Sequence, residues 1–426
     1  YVARREGTFE KLVNQAIDAR GTICMITGPS KTGKTSLYSY VLKNRDVEPL
    51  IVRCTTNTSA SSFWKYALES IDFARINQKQ AQKSTGGSIE TTAEGKLGWK
   101  WLASITGKIT GKAEASKTET EIREHVLAEP SAEHLIPVLK KLPTILVIED
   151  FHYLKEDIQR VISQQWKMFV DNEISILIVS TTHHSIDLAM ANKDLIGRVT
   201  QIEVSTWDED DLAKIAQQGF QHLNISIDVG ILSIIARESV GLPIITQQVC
   251  RQLLVDFGIA EKLETKRYLP VLDAEVYKAL NTVARSAYSQ LAPFYEILIR
   301  GPRKKARKYD TYELVVATFS LNPIKFSISR EEIDDRLRRL PIKKDKLPPT
   351  GSINTTLNAL AKFQSSKKIE LLEWHEITNK LYIIEPSFLF YLRWRETRKT
   401  ALTALEVLKR LIRAFEEGKS TPRNPA

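Results

Sequence analysis

The sequence predicts an α/β protein. Its first half reads as a three-layer fold, a mostly parallel sheet with helices on both faces, and an all-helical segment and a basic helix-and-strand domain follow. Three observations predict this. Apolar runs at Ile23–Thr27, Pro49–Cys54, Thr144–Glu149, Ile174–Ser180 and Val199–Val204 alternate with stretches of helical character, the pattern of a covered parallel sheet. A glycine-rich loop joins the first of these runs directly to a helix. After Asp208 the strand-like runs cease and helical periodicity takes over.

In chain order, residues 1–20 read as a short arm and an amphipathic helix with Phe9, Leu12, Val13 and Ala16 on one face. The strand Ile23–Thr27, the loop and a helix from Lys34 to about Lys43 come next. The strand Pro49–Cys54 then leads through a Ser/Thr-rich cap into a helix containing Phe63, Trp64, Ala67 and Ile71. Residues 77–120 are rich in Gln, Lys, Ser, Thr and Gly, and are read as an insertion, part loop and part hairpin around Trp99 and Trp101. Two readings of it stay open: a subunit- or ligand-contact element, or a loop whose tryptophans cover the core. A helix at 155–172 separates the third and fourth strands. Helices follow at 208–223, 227–239 and 244–257, then a long helical stretch over 273–299. Residues 290–396 read as three helices and two strands, Lys368–Trp374 and Lys380–Ile384, with Glu376–Asn379 in the turn, the order of a winged helix. A helix at 400–417 ends in the tail Gly418–Ala426. The expected division is therefore 1–205, 206–272, 273–400 and 401–426, too long a chain for a single core.

No apolar run approaches the roughly 18–20 residues that span a bilayer, and no signal-peptide pattern opens the chain, so a cytoplasmic protein without membrane contact is expected. The chain begins at Tyr1 rather than Met and is read as trimmed or as part of a longer polypeptide. Cys24, Cys54 and Cys250 are far apart and form no CxxC pair, which fits free thiols in a reducing compartment. Charge is distributed unevenly. Residues 291–426 hold 27 Lys plus Arg against 16 Asp plus Glu, a surplus that accounts for the whole net charge of +10. Such a segment suits an anionic partner, duplex DNA foremost; a solvated basic face without a partner is the alternative.

Gly28-Pro29-Ser30-Lys31-Thr32-Gly33-Lys34-Thr35 fits GxxxxGK[ST] in full, with Ser36 next in the helix. Its glycines let backbone N–H groups curl around phosphates, Lys34 reaches the β and γ oxygens, and the Thr35 hydroxyl takes a Mg²⁺ position. The helix that follows points its positive end at the same phosphates. The ligand expected is ATP or GTP with Mg²⁺. The run Ile145-Leu146-Val147-Ile148-Glu149-Asp150 is an apolar strand ending in two acids, one to organise the metal and one to polarise water. Glu149 stands where Asp is usual and Asp150 where Glu is usual, an inversion that bears on turnover more than on binding. Ser180-Thr181-Thr182 ends the next strand, where Thr181 is a candidate for the γ-phosphate or the attacking water. His152, His183 and His184 lack accompanying ligands at a useful spacing and read as ordinary hydrogen-bonding residues.

Together with the later Gly241-Leu242-Pro243, these motifs resemble AAA+ ATPases, and among them the STAND signal-transduction ATPases and the origin-recognition initiators. The resemblance covers about residues 1–260 by motif and 290–396 by pattern. It implies an ATPase with a helical lid. Gly241 and Pro243 would sense the nucleotide, although Pro243 also suits the first turn of a helix. It also implies that Tyr1 and Val2 of the arm Tyr1-Val2-Ala3-Arg4-Arg5-Glu6 lie near the adenine, although this copy lacks the family's glycine and shifts its acid. Arg198, before the last core strand, stands where such ATPases place an arginine finger toward a neighbouring subunit; a local salt bridge is the alternative. Ile384–Trp394 resembles the end of the attached winged-helix domains, its aromatics read as core. Arg303–Lys308 with Arg336, Arg338 and Arg339 are the candidates for phosphate contact. Three functions follow as expectations. The first is a nucleotide-driven homo-oligomeric switch acting on an effector, with anti-phage signalling as its setting. The second is a DNA-transaction ATPase of initiation, loading or transposition. The third is a nucleotide-binding scaffold that scarcely hydrolyses.

Overall fold

The computed structural model describes residues 1–73, 75, 97–107, 117–180, 195, 197–204, 207–302, 309–340, 342–376 and 378–395. Two compact bodies divide the chain: Tyr1, 3–29 and 33–205 form the first, and Val2, 30–32 and 206–426 the second.

The first body is built on five parallel strands, β1 (Ile23–Thr27), β2 (Glu48–Arg53), β3 (Thr144–Glu149), β4 (Ile176–Ser180) and β5 (Val199–Glu203), in the order β2-β3-β4-β1-β5. Successive side chains of the inner strands point to opposite faces, and each face has its own core. Ile23, Met25, Leu146 and Ile148 pack with Phe63, Trp64, Trp166 and Phe169. Cys24, Ile26, Ile145 and Val147 pack with Phe9, Val13, Tyr38 and Val41. The expected three-layer α/β fold is therefore present. All five strands end on one edge of the sheet, which gathers the β1 loop, Glu149, Ser180 and Val204.

Several expectations are corrected. Trp99 and Trp101 lie on a helix, Trp99–Ile105, not a hairpin, since Leu102 and Ala103 are buried at helical spacing from Trp99. Both indoles pack edge-on near Phe73, so this part of the expected insertion covers the core. The helix Glu119–Ala128, capped reciprocally by Thr118 and Glu121, and the helix Leu135–Lys141 were not foreseen. On the first helix, Thr8–Asp18, Phe9, Val13 and Ala16 are buried as expected, but Leu12 faces out and Glu10 is buried. The Glu10 carboxylate accepts a hydrogen bond from the Tyr1 hydroxyl (2.5 Å), and Tyr1 stacks on Tyr40 with ring centroids 4.0 Å apart.

In the second body the helices Glu209–His222, Val229–Glu238 and Pro243–Asp256 follow the expected bounds to within two residues. A two-residue parallel pairing, β6 (Ile225–Ser226) with β7 (Arg267–Tyr268), interrupts the all-helical segment. The long helix expected over 273–299 is two helices, Asp273–Ala287 and Leu291–Arg300. Pro293 explains the break: it has no N–H for the Ser289 carbonyl, and it is tolerated only in the first turn of a new helix. The helices Thr311–Thr318, Arg330–Arg339 and Thr350–Lys367 follow, then the hairpin of β9 (Leu372–His375) and β10 (Lys380–Ile383). A third strand, β8 (Ser327–Ser329), joins this sheet in the order β8-β10-β9, where two strands were expected. The strand expected from Lys368 begins at Leu372, because Lys368 caps the preceding helix in the left-handed conformation. The closing helix Pro386–Trp394 is buried throughout, so its aromatics are core. One continuous core runs from Ala216 to Trp394 across the expected boundary at 272/273. Buried Arg393 braces it, donating to Glu238 (2.8 Å) and to the Ser320 carbonyl (3.1 Å). Among the described residues, no helix is long and apolar enough to cross a membrane. Cys24, Cys54 and Cys250 are free thiols, and burial raises each to about 12.

Candidate nucleotide site

The GxxxxGKT loop leaves β1 at Thr27 and enters the helix Lys34–Asn44. Its first glycine is required by space as well as by backbone angle. Gly28 has φ 145°, and a Cβ there would lie 2.1 Å from the Val204 carbonyl oxygen. The strand pairing that carries β1 into this approach ends with Val204 donating to the Thr27 carbonyl at 2.7 Å. Gly33 caps the helix in the left-handed region (φ 90°), and Lys31 also takes a positive φ of 63°. Thr32 is buried, Pro29 and Ser30 are half-buried, and Lys31, Thr35 and Ser36 are exposed.

Lys34 folds back on the loop, its ammonium donating to the carbonyls of Gly28 and Pro29 at 2.7 Å each. Burial pushes this ammonium down to about 8, against the opposing pull of the Asp150 carboxylate. A polyphosphate binds the protonated form, so affinity for a nucleoside triphosphate is expected to be level below pH 8. It should then fall by up to about tenfold per pH unit above it. Titration of a fluorescent ATP analogue between pH 6.5 and 9.5 (a range of about three units) checks this, and a flat profile would contradict it.

The two acids at the end of β3 occupy different environments. Glu149 is buried (6 % exposed) and collects three donors. Its Oε1 accepts from the hydroxyls of Thr35 (3.0 Å) and Tyr38 (2.9 Å), one turn apart on the loop helix, and its Oε2 accepts from Arg53 Nε at 2.9 Å. Thr35 and Glu149, the two residues expected to hold Mg²⁺, are thus adjacent. Burial and Glu149 both push the Tyr38 phenol well above its ordinary range. Tyr38 and Arg53 were not singled out from the sequence. Tyr38 had one available signal, its i+3 spacing from Thr35. Arg53 became meaningful only once the sheet order set β2 beside β3, in a register that pairs Arg53 with Glu149.

Asp150 is exposed and left-handed (φ 58°, ψ 32°), an arrangement that costs a non-glycine residue energy and recurs at functional positions. Its N–H donates to the Val179 carbonyl at 3.0 Å, which fixes it between the ends of β3 and β4. Partial desolvation and the neighbouring Glu149 charge raise its carboxyl, while Lys34 and Arg53 oppose the rise. Ser180, at the end of β4 beside Thr27, is 1 % exposed, and its hydroxyl has no partner among the described residues.

Arg198 sits on the opposite edge of the sheet, its carbonyl accepting from Ile23 N–H at 2.9 Å just before β5. A five-residue strand spans about 17 Å, so Arg198 cannot reach the phosphate loop of its own chain. It lines a polar cleft with Arg20, Lys167, Asp171 and Glu173. In the second body, Gly241 (φ 76°) precedes Pro243, the first residue of Pro243–Asp256. Thr181, Thr182, His183, His184, the cluster at 303–308 and the helix expected at 400–417 with its tail lie outside the described residues. One phosphate-contact candidate is overturned. Arg336 is 1 % exposed and donates to the carbonyls of Thr318, Leu321 and Pro323 and to Glu332, so it braces the fold. Arg338 pairs with Asp335 on the surface, and Arg339 reaches the Asn322 carbonyl at 2.5 Å.

These residues fit a magnesium nucleotide. A glycine stands where any side chain would strike backbone, an ammonium is turned in on the loop carbonyls, and a hydroxyl is aligned with a buried carboxylate. No family model matches the chain, and no curated protein is significantly similar in sequence. Solved structures align with much of the chain. A Walker-type ATPase of Pyrococcus abyssi aligns with a TM-score of 0.50 and 14 % identity, over 92 % of this chain and 98 % of its own. The RuvB Holliday junction branch migration motor of Thermotoga maritima aligns with a TM-score of 0.38 and 12 % identity, covering 89 % and 92 %. Drosophila ORC bound to DNA aligns with a TM-score of 0.38 and 13 % identity, covering 92 % and 87 %. With its parallel sheet, its glycine-rich loop and the paired acids of β3 on one edge, the chain has an α/β fold similar to that of the Walker-type ATPase.

Proposed function

We propose that the chain binds ATP with Mg²⁺ at Gly28–Thr35, hydrolyses it slowly, and works as a nucleotide-driven switch between copies of itself. The observation that carries this is the Thr35–Glu149 hydrogen bond at 3.0 Å, with Lys34 in the loop and Asp150 next along the chain. Bound Mg²⁺ would neutralise phosphate charge, with Thr35 and Glu149 as the residues to hold it. Lys34 and the loop N–H groups orient the phosphates, and Asp150 accepts the proton of the attacking water. Ser180 supplies a hydroxyl at the end of β4, and Thr181, next in sequence, is the candidate for the γ-phosphate or the attacking water. The lid motif Gly241–Pro243 reports the nucleotide state.

Arg198 acts on the nucleotide of a neighbouring copy, because its own site is a strand length away. Arg198→Ala is expected to bind ATP as the wild type does but to lose ATP-dependent assembly. Mass photometry without nucleotide, with ADP and with a slowly hydrolysed ATP analogue checks this. A wild type that stays monomeric in all three would remove the trans role. On the STAND reading the output is an effector, in anti-phage signalling.

A DNA-transaction ATPase is the second reading. It is favoured by the basic surplus after residue 291 and by the helix–strand–helix–helix–hairpin order of 311–383, which suits a winged helix. Burial of Arg336 leaves Arg303–Lys308, Arg338 and Arg339 as its phosphate contacts. Salt-dependent binding of duplex DNA, lost when Arg303–Lys308 are neutralised, would favour it over the switch.

A further inference from the structure

We propose that Arg53 is a positioning residue that engages the Glu149 oxygen a divalent cation would otherwise draw, so that nucleotide enters without metal and metal must displace a guanidinium. This rests on the nucleotide reading above and deepens it. Glu149 Oε1 is taken by two hydroxyls of the loop helix, and Oε2 by Arg53 alone. A buried carboxylate needs a compensating charge, and Arg53 supplies it across the β2–β3 register.

The contact is made to be given up. The Arg53 side chain is 71 % exposed, and it holds Glu149 through Nε rather than the two-pronged fork of a strong arginine–carboxylate pair. Its terminal nitrogens have no acceptor among the described residues. An ion pair with one exposed partner resists displacement only weakly. The acid inversion gains a purpose here. Glutamate, one methylene longer than the usual aspartate, reaches the two hydroxyls with one oxygen while offering the other to β2. With Arg53 in place the Glu149 carboxylate is compensated and adds little to the repulsion that Asp150 alone exerts on a metal-free triphosphate. Without it, Glu149 repels the bare nucleotide and attracts the magnesium complex more strongly.

The test is binding of a fluorescent ATP analogue in EDTA and in excess Mg²⁺ to the wild type, Arg53→Ala, Arg53→Lys and, as control, Lys34→Ala. The wild-type dissociation constants in the two buffers should lie within about threefold of each other. In Arg53→Ala the ratio should widen to about tenfold or more, through weaker metal-free binding, with Arg53→Lys in between. Circular dichroism should be unchanged, since the side chain is largely exposed. Binding with the same ratio in wild type and Arg53→Ala would overturn the role of Arg53 and leave the site standing. So would a wild type that already binds more than about tenfold more weakly in EDTA. A wild type that binds in neither buffer would overturn the nucleotide reading, and Arg53 with it.

Discussion

Gly28→Ala should destabilise the first body by at least about 3 kcal/mol, and abolish nucleotide binding in whatever fraction still folds. The added Cβ would meet the Val204 oxygen at 2.1 Å and the Val204 carbonyl carbon at 3.0 Å. Neither contact involves a side chain that can swing away. Val204 is held by its own hydrogen bond to Thr27, so relief requires parting β1 from the end of β5. The left-handed side of the backbone map adds about 1 kcal/mol for any L-residue. Gly107→Ala is the control, since Gly107 has φ 71° with nothing among the described residues within 4 Å of where its methyl group would stand, and it should lose a backbone term alone. Urea unfolding of both variants separates the two contributions. Equal midpoints would mean that the loop can shift to accommodate a methyl group, and that the close approach is not what fixes Gly28.

The parts of the site legible in the sequence were those whose chemistry depends on neighbours along the chain. The spacing from Gly28 to Thr35 determines where loop amides, an ammonium and a hydroxyl fall, and an apolar strand ending in Glu149-Asp150 announces its acids without tertiary information. Arg53 was illegible because its partner depends on strand order, and nothing local in Glu48–Arg53 says that β3 will be its neighbour. Arg336 misled in the opposite way. Among so many charges it looked like a phosphate contact, yet Ile333 and Leu337 flank it on one helical face, and Glu332 four residues before it was the sign of an inward pair. The helix at Trp99 was readable from the Trp99–Leu102–Ala103 spacing, which the polar composition around it outweighed. Pro293 likewise marked the break in the long helix.

Asp150→Asn should lower the rate of ATP hydrolysis by about 100-fold or more while leaving nucleotide affinity unchanged or slightly higher. The substitution keeps the shape of the side chain, and asparagine tolerates the left-handed conformation at least as well as aspartate, so the turn after β3 should survive. What it removes is the carboxylate's capacity to accept a proton, together with one negative charge near Lys34. Losing that charge withdraws an interaction that favours the Lys34 ammonium, but it also removes repulsion of the incoming phosphates, and the second effect acts directly on the ligand. Asp150→Glu is the informative companion. It restores the acid length usual at this position at a backbone cost of about 1 kcal/mol. If reach limits wild-type turnover, this variant should turn over faster than the wild type despite being less stable. A wild type with turnover, equalled by Asp150→Asn, would take the base role away from Asp150 and return it to Glu149, which would first have to leave Arg53 and both hydroxyls. A wild type that binds ATP and shows no turnover would make the inverted acids the signature of a nucleotide-binding scaffold, with binding itself as the signal.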